Sequence, residues 1–124
     1  MDRTFIILGS IAAFLGVGAG AFGAHGLRLF FETHPGAQST YQTAVSYHMY
    51  HALALLAVAW AGTRWTNPLI AWAGYLFVLG ILLFSGSLYA LSLFSARWLG
   101  AVTPFGGVAF LGGWALLAVG AWRG

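Results

Sequence analysis

Charged residues are so sparse in this chain that they restrict it to one kind of environment. Among 124 residues there are five basic side chains, all arginine, and two acidic ones. The uncharged stretches between them are long enough for the roughly 20 apolar residues with which an α-helix crosses a bilayer. A soluble domain carries about a quarter charged residues, because its surface has to be polar, whereas this chain carries 6%. The sequence therefore predicts an integral membrane protein.

Four apolar segments predict an all-α bundle of four transmembrane helices, at about residues 5–24, 41–62, 68–93 and 104–122. Residues 26–38 predict a loop, with Ser39 or Thr40 as the N-cap of the second helix. Asn67 followed by Pro68 predicts the start of the third helix. We expect one four-span transmembrane domain over residues 1–124, without a soluble domain.

The first segment has a second interpretation as a signal peptide, with small residues at 19–21 as its cleavage site. That interpretation would leave three spans. Gly23 continues the glycine register beyond this point, which favours a retained, packed helix. We therefore expect the first span to stay in the protein.

The arginines give a weak indication of orientation. Arg3, Arg64 and Arg123 lie at the predicted ends on one side of the membrane, and Arg28 and Arg97 lie on the other. Because cytoplasmic loops carry an excess of basic residues, both termini are expected in the cytoplasm. Five tryptophans near the predicted helix ends are interpreted as interface anchors: Trp60, Trp65, Trp72, Trp98 and Trp122.

Small residues recur every seven positions in the first, third and fourth predicted spans. Helices in lipid associate where their backbones approach closely, and a seven-residue period follows one seam of a left-handed helix pair. We expect these three helices to pack with their small-residue seams facing one another. The seam of the third span also includes Ala73. The glycines assigned to helix packing are Gly9, Gly16, Gly20, Gly23, Gly80, Gly86, Gly106, Gly107, Gly113 and Gly120.

Histidine and tyrosine lie near the middle of the second span, where ionisable groups are costly and often functional. His48 and His51 are three residues apart and share one side of the helix, and Tyr47 precedes His51 by one turn. Their rings suit a metal or haem site, or a proton relay. The other interpretation is that neutral imidazoles hydrogen-bond to tyrosine hydroxyls or carbonyls and fix the packing of the helix. The sequence leaves these alternatives open.

Several kinds of chemistry are excluded by residue types that are missing or misplaced. The chain has no cysteine and no lysine, which excludes disulfides, thiolate ligands and Schiff bases. Both acids lie outside the predicted spans, and no run of basic residues is present to bind nucleic acid. Ser85 and Ser87 lack the leading glycine of the intramembrane serine protease motif, so we interpret them as hydrogen-bonding to backbone or to a neighbouring helix.

Several motifs taken together resemble the YgdD-like family of small bacterial inner-membrane proteins. They are GAFGAH at 20–25, Tyr47 with His51, LFSGSLY at 83–89, TPFGG at 103–107 and GWAL at 113–116. The resemblance implies an uncleaved four-helix inner-membrane protein, with relatives among small eukaryotic transmembrane proteins, and it implies no reaction. The family pattern does not include His48. It includes His25, Tyr47, His51, Ser85, Gly86, Ser87, Tyr89, Thr103, Pro104, Gly106 and Gly107.

Three functions remain open, and none of them is an enzymatic reaction. The first is a structural or accessory protein that associates with itself or with a larger membrane complex, with membrane lipids as its other contacts. The second is binding of haem, a metal, a quinone or a lipid, so that no single cofactor is assigned. The third is a small oligomeric transporter or channel. The residues predicted to line a ligand site are His25, Tyr47, His51, Ser85, Ser87 and Tyr89.

Overall fold

The computed structural model describes residues 3–124, so Met1 and Asp2 lie outside the described part. Asp2 is one of the two acids predicted to lie outside the spans. A π-helical segment, Ile81–Ser85, joins α4 to α5, and a 3-10 helix, Arg97–Ala101, precedes α6. The α-helices are α1 Thr4–His25, α2 Arg28–Thr33, α3 Pro35–Arg64, α4 Leu69–Gly80, α5 Gly86–Phe94 and α6 Thr103–Arg123.

Four helical stretches are long and apolar enough to cross a membrane. They are Thr4–His25, Pro35–Arg64, Leu69–Phe94 and Arg97–Arg123. The third stretch contains α4, the π-helical segment and α5 as one continuous helix. The predicted all-α fold with four candidate spans is therefore confirmed.

The predicted start of the second span is wrong. Residues 28–33 form the short helix α2 where a loop was predicted, and α3 already begins at Pro35. Proline suits the first position of a helix, because its fixed φ is helical and its missing N–H would have no partner there. Thr40 consequently lies inside α3, and its hydroxyl donates to the Gly36 carbonyl at 3.3 Å. Neither Ser39 nor Thr40 is the N-cap.

The start of the third span follows the prediction more closely. The Asn67 side-chain oxygen accepts a hydrogen bond from the Leu69 N–H at 2.9 Å, which is the contact that an N-terminal cap provides. α4 begins directly after Pro68. The far end of this span closes at Ser95, whose φ of 54° is left-handed and stops the helix. The π-helical segment in its middle was not predicted.

The helices pack as two close pairs, and α3 belongs to one pair and contacts the other. α1 lies along α3, and α6 lies along α4 and the π-helical segment. α3 also contacts α4 and α5, so it is the most buried of the four spans. Its apolar face meets Phe5 of α1, Phe77 of α4 and Phe110 of α6 in the core. α3 therefore contacts each of the other three spans.

The glycine seam of α1 faces α3 and not the seams of the other helices, contrary to the prediction. A Cβ at Gly9 would lie 3.0 Å from the Ala52 carbonyl oxygen of α3. Gly16 lies against Met49, and the ring of Tyr41 covers Gly23. The α1 seam is therefore filled by larger side chains of α3, which lie in the space that the missing Cβ atoms leave.

The seams of the third and fourth spans do face one another. A Cβ at Gly113 would lie 3.2 Å from the Ala73 carbonyl oxygen, and a Cβ at Gly106 would overlap the backbone of Phe84. Gly80 lies under the ring of Phe110 in the same interface. Two further glycines assigned to packing are not at close contacts. For Gly86 and Gly107 the nearest atoms to such a Cβ would be 3.9 Å away, and for Gly86 that atom belongs to its own helix.

Two adjacent glycines of α6 provide a matched test of this packing. We expect Gly106→Ala to lower the free energy of unfolding by about 1–3 kcal/mol, because backbone atoms of Phe84 cannot move away as a side chain would. Gly107→Ala adds the same methyl group with room to spare and is expected to leave stability within about 0.5 kcal/mol of wild type. Thermal unfolding in detergent measures both. Equal melting temperatures for the two variants would contradict the proposed close contact.

Candidate functional site

Polar side chains on α3 form hydrogen bonds with each of the other three spans. They lie on different sides of the helix, and α3 is the central element of the bundle. Buried side-chain nitrogen and oxygen atoms among residues 3–124 all have a hydrogen-bond partner.

His51 has both ring nitrogens occupied. Its Nε2 accepts a hydrogen bond from the indole N–H of Trp114 at 3.1 Å. Because that N–H can only donate, Nε2 carries no proton, and Nδ1–H donates to the Tyr47 carbonyl at 2.7 Å. The ring also stacks on Phe110 with centroids 3.5 Å apart. His51 is thus a neutral imidazole held in one tautomer, and a metal could bind Nε2 only after the Trp114 bond breaks.

His48 points to a different helix from His51. Its Nδ1 lies 2.9 Å from the Tyr89 hydroxyl of α5, and its ring lies against the Ala12 backbone of α1. Tyr89 in turn meets the ring of Tyr41 edge-on, with centroids 5.3 Å apart. His48 therefore connects the first and third spans through α3.

Tyr41 and Ser85 complete the polar contacts with α3. The Tyr41 hydroxyl donates to the Ala19 carbonyl of α1. Ser85, in the π-helical segment, is fully buried and donates to the Ala44 carbonyl at 2.9 Å. A donor committed to a carbonyl in this way holds two helices together. Ser85 has the role expected of a structural hydroxyl.

Ser87 connects the third and fourth spans. Its hydroxyl lies 2.6 Å from the Thr103 hydroxyl at the start of α6, and it also donates to the Phe84 carbonyl at 2.9 Å. Among the hydrogen bonds of residues 3–124, neither Ser85 nor Ser87 contacts a histidine. The arrangement lacks the base that a serine nucleophile requires.

The predicted ligand-site residues do not form one site. Tyr47 and His51 line a groove between α3 and α6, whereas Tyr89 lines a groove between α1 and α5 together with His48. His25 is exposed at the end of α1. Gly16 marks the level of His48 on α1, and the helical rise places His25 about 13 Å beyond that level. His25 and His51, both predicted to line the ligand site, therefore lie apart, because α1 and α3 run antiparallel in a register that separates them.

Two residues outside the predicted set make key contacts. His48 was set aside because the family pattern omits it, and Trp114 was not counted among the interface anchors. A signal for Trp114 was present in the sequence, since an indole N–H in the middle of a span needs an acceptor within the protein. No group of three or more metal-ligating side chains occurs between residues 3 and 124.

Comparison with known proteins identifies the family. A family model described as "Protein of unknown function (DUF423)" matches residues 19–107. A UPF0382 membrane protein of Staphylococcus saprophyticus is 46% identical over 124 residues, which cover 98% of each chain. The chain belongs to the DUF423 family. The UPF0382 membrane protein YwdK of Bacillus subtilis, another similar protein, is 48% identical over 120 residues, or 96% of each chain.

A third relative is a UPF0382 membrane protein of Staphylococcus aureus, 46% identical over 122 residues that cover 98% of this chain and 97% of the relative. No solved structure matches the chain. These relatives confirm the resemblance to small bacterial membrane proteins of unknown function. The DUF423 protein described by the present structure is therefore a membrane protein, and its family name carries no reaction.

The bond between Trp114 and His51 can be tested by substitution. We expect Trp114→Phe to lower the free energy of unfolding by about 1 kcal/mol, because it leaves His51 Nε2 without a donor. The matched control is Trp72→Phe, since Trp72 is 60% exposed and contacts Tyr75 only by its ring edge. Thermal or denaturant unfolding in detergent compares the two. An equal effect of both substitutions would show that the hydrogen bond contributes nothing measurable.

Proposed function

We propose that this DUF423 protein is an accessory protein of the bacterial inner membrane that acts by binding laterally to a second transmembrane polypeptide. That polypeptide is either another copy of the chain or part of a larger membrane complex. The proposal includes no enzymatic reaction. Its support comes from the groove between α3 and α6, hereafter the α3–α6 groove, which includes Tyr47, Tyr50, Gly107, Val108 and Trp114.

Two tyrosine hydroxyls in this groove carry the proposal. Tyr47 is 40% and Tyr50 58% exposed, and their neighbour Met49 packs on Gly16, near the middle of α1. Both tyrosines thus lie at mid-membrane depth. The side-chain hydrogen bonds within residues 3–124 do not include either hydroxyl. Hydrocarbon offers no hydrogen-bond acceptor, and an unpaired hydroxyl there costs about 1–3 kcal/mol. A second transmembrane polypeptide can supply the acceptor.

The shape of the groove also suits a helix. Gly107 and Val108 lie on the α6 side, and Gly107 leaves open space where a side chain would otherwise project. Close backbone approach at a small residue, with polar side chains beside it, is how transmembrane helices associate. The opposite groove, between α1 and α5, has its polar groups His48 and Tyr89 already bonded to each other.

A metal or haem site is less well supported. Coordination at Nε2 of His51 would break the Trp114 bond. A ligand site shared with His25 would need side chains that lie at different depths in the bundle. Lateral association needs no such rearrangement, because Tyr47 and Tyr50 already lie at the surface.

The proposed orientation places both termini in the cytoplasm. The antiparallel pairing of α1 with α3 brings Arg3 and Arg64 to one end of the bundle, and Arg123 closes α6 at that end. Arg28 and Arg97 lie at the other end. The excess of arginine at the first end supports this orientation under the positive-inside rule.

Photo-crosslinking in native membranes tests the association. We expect a photoreactive residue at Val108, which is 67% exposed in the α3–α6 groove, to give a protein adduct. Tyr47→Phe with Tyr50→Phe should reduce its yield about fivefold, the effect of roughly 1 kcal/mol. Leu82, 65% exposed in the opposite groove, is the matched control position. The adduct mass distinguishes a second copy from another protein, and adducts of equal yield at both positions would overturn the proposal.

Reporter fusions test the orientation. A fluorescent protein that folds only in the cytoplasm is expected to be active when fused after Gly124, and an alkaline phosphatase fused there is expected to be inactive. The opposite pattern would reverse the orientation. Because the excess is a single arginine, Arg64→Gln together with Ser95→Arg turns three against two into two against three and is expected to reverse the preferred orientation.

A further inference from the structure

A groove at the membrane surface differs from the other two in the polarity of its walls. It lies between the C-terminal half of α1, α2 and the N-terminal half of α3. Gly20 and Gly23 line the α1 side, and the other walls carry four polar side chains besides Tyr41. These are Arg28, Gln38, Gln42 and Ser46. We call this cavity the Arg28 groove.

The length of α3 places the groove at the level of the lipid headgroups. α3 has 30 residues, which at 1.5 Å each span about 45 Å, whereas the hydrocarbon core is about 30 Å thick. Arg64 ends α3 at the other surface, so the excess length lies at the Pro35 end. From Gln38 to Ser46 the groove descends about 12 Å toward the hydrocarbon. One end therefore faces headgroups and the other faces acyl chains.

The walls of the groove are fixed by contacts within the protein. The Tyr41 ring fills the space beside Gly23, and its hydroxyl bonds to the Ala19 carbonyl. Phe31 of α2 is buried against Tyr41, with ring centroids 5.4 Å apart. α2 and its Arg28 are thereby held against the end of the α1–α3 pair, so the cavity exists before a ligand enters.

The polar side chains of the groove are free to bind a ligand. The side-chain hydrogen bonds within residues 3–124 leave out Arg28, Gln38, Gln42 and Ser46. The guanidinium group is always charged and presents paired N–H donors that match two oxygens of a phosphate. The amides and the hydroxyl add both donors and acceptors beside it. Glu32 lies on the same short helix but does not line the cavity.

We infer that the Arg28 groove binds an anionic phospholipid whose headgroup carries hydroxyls. The single positive charge pairs with the single negative charge of the phosphodiester. Oxygens of the Gln38 and Gln42 amides accept from headgroup hydroxyls, and an acyl chain passes Ser46 toward the hydrocarbon. A headgroup ammonium would find no carboxylate among the lining residues. This site lies away from the α3–α6 groove, and it does not depend on the proposed function.

Native mass spectrometry after extraction from vesicles with equal amounts of phosphatidylglycerol and phosphatidylcholine tests the inference. We expect the full chain to retain phosphatidylglycerol preferentially. Arg28→Gln should lower the ratio of retained phosphatidylglycerol to phosphatidylcholine about tenfold, as for loss of one charged hydrogen-bonded pair. Arg97→Gln is the control, because Arg97 lies at the same end of the bundle outside the groove. Gln38→Met is a second variant that should lower the ratio while keeping the charge.

Three outcomes would overturn the inference. One is equal retention by the wild type and Arg28→Gln, with circular dichroism showing that both are folded. Another is an equal loss in Arg97→Gln, which would indicate general attraction of anionic lipid to the surface. The third is displacement of the lipid by millimolar inorganic phosphate, which would identify a site for free anions. Loss of phosphatidylglycerol in Arg28→Gln and Gln38→Met, with Arg97→Gln unchanged, supports the lipid site.

Discussion

Hydrogen bonds from polar side chains of α3 to the other spans hold this bundle in one arrangement. In hydrocarbon such groups have no water to bond to, so the buried ones find their partners inside the protein. The hydroxyl of Tyr41 reaches α1, the ring of His48 reaches α5 and that of His51 reaches α6. Each bond is worth about 1 kcal/mol in a membrane. Together they fix the rotation and depth of every span relative to α3.

Glycines allow close packing in both pairs of spans, but different groups fill the space that they leave. Larger side chains of α3 fill the seam of α1, whereas Gly106 and Gly113 let α6 approach the backbone of the third span. Apolar side chains alone would not choose one neighbour over another in lipid. Small residues determine how near the helices come, and the hydrogen bonds determine which helix faces which.

The buried polar side chains of the described residues already have hydrogen-bond partners, so a functional site is more readily found at the surface of the bundle. His51 and Ser85 are committed to structural bonds, so the groups free to act lie at the periphery. Tyr47 and Tyr50 are exposed in one groove, and Arg28 lines another at the end of the α1–α3 pair. The role that we propose for both peripheral sites is recognition of other membrane components. The DUF423 family name is consistent with either kind of role.

The sequence by itself determined the membrane environment, the number of candidate spans and the Asn67 cap, because apolar length and turn residues act locally. Pro35 is also a local signal for a helix start. The polar residues that follow it led to the prediction of a loop there, although α3 already begins at Pro35. Hydrogen bonding by His51 and Ser85 was anticipated in kind. Their partners, Trp114 for His51 and the Ala44 carbonyl for Ser85, are known only from the tertiary structure. The same is true of the separation of His25 from His51 and Ser85. A span's rotation and depth arise from packing between helices, and no local pattern in one helix encodes the register of its neighbour.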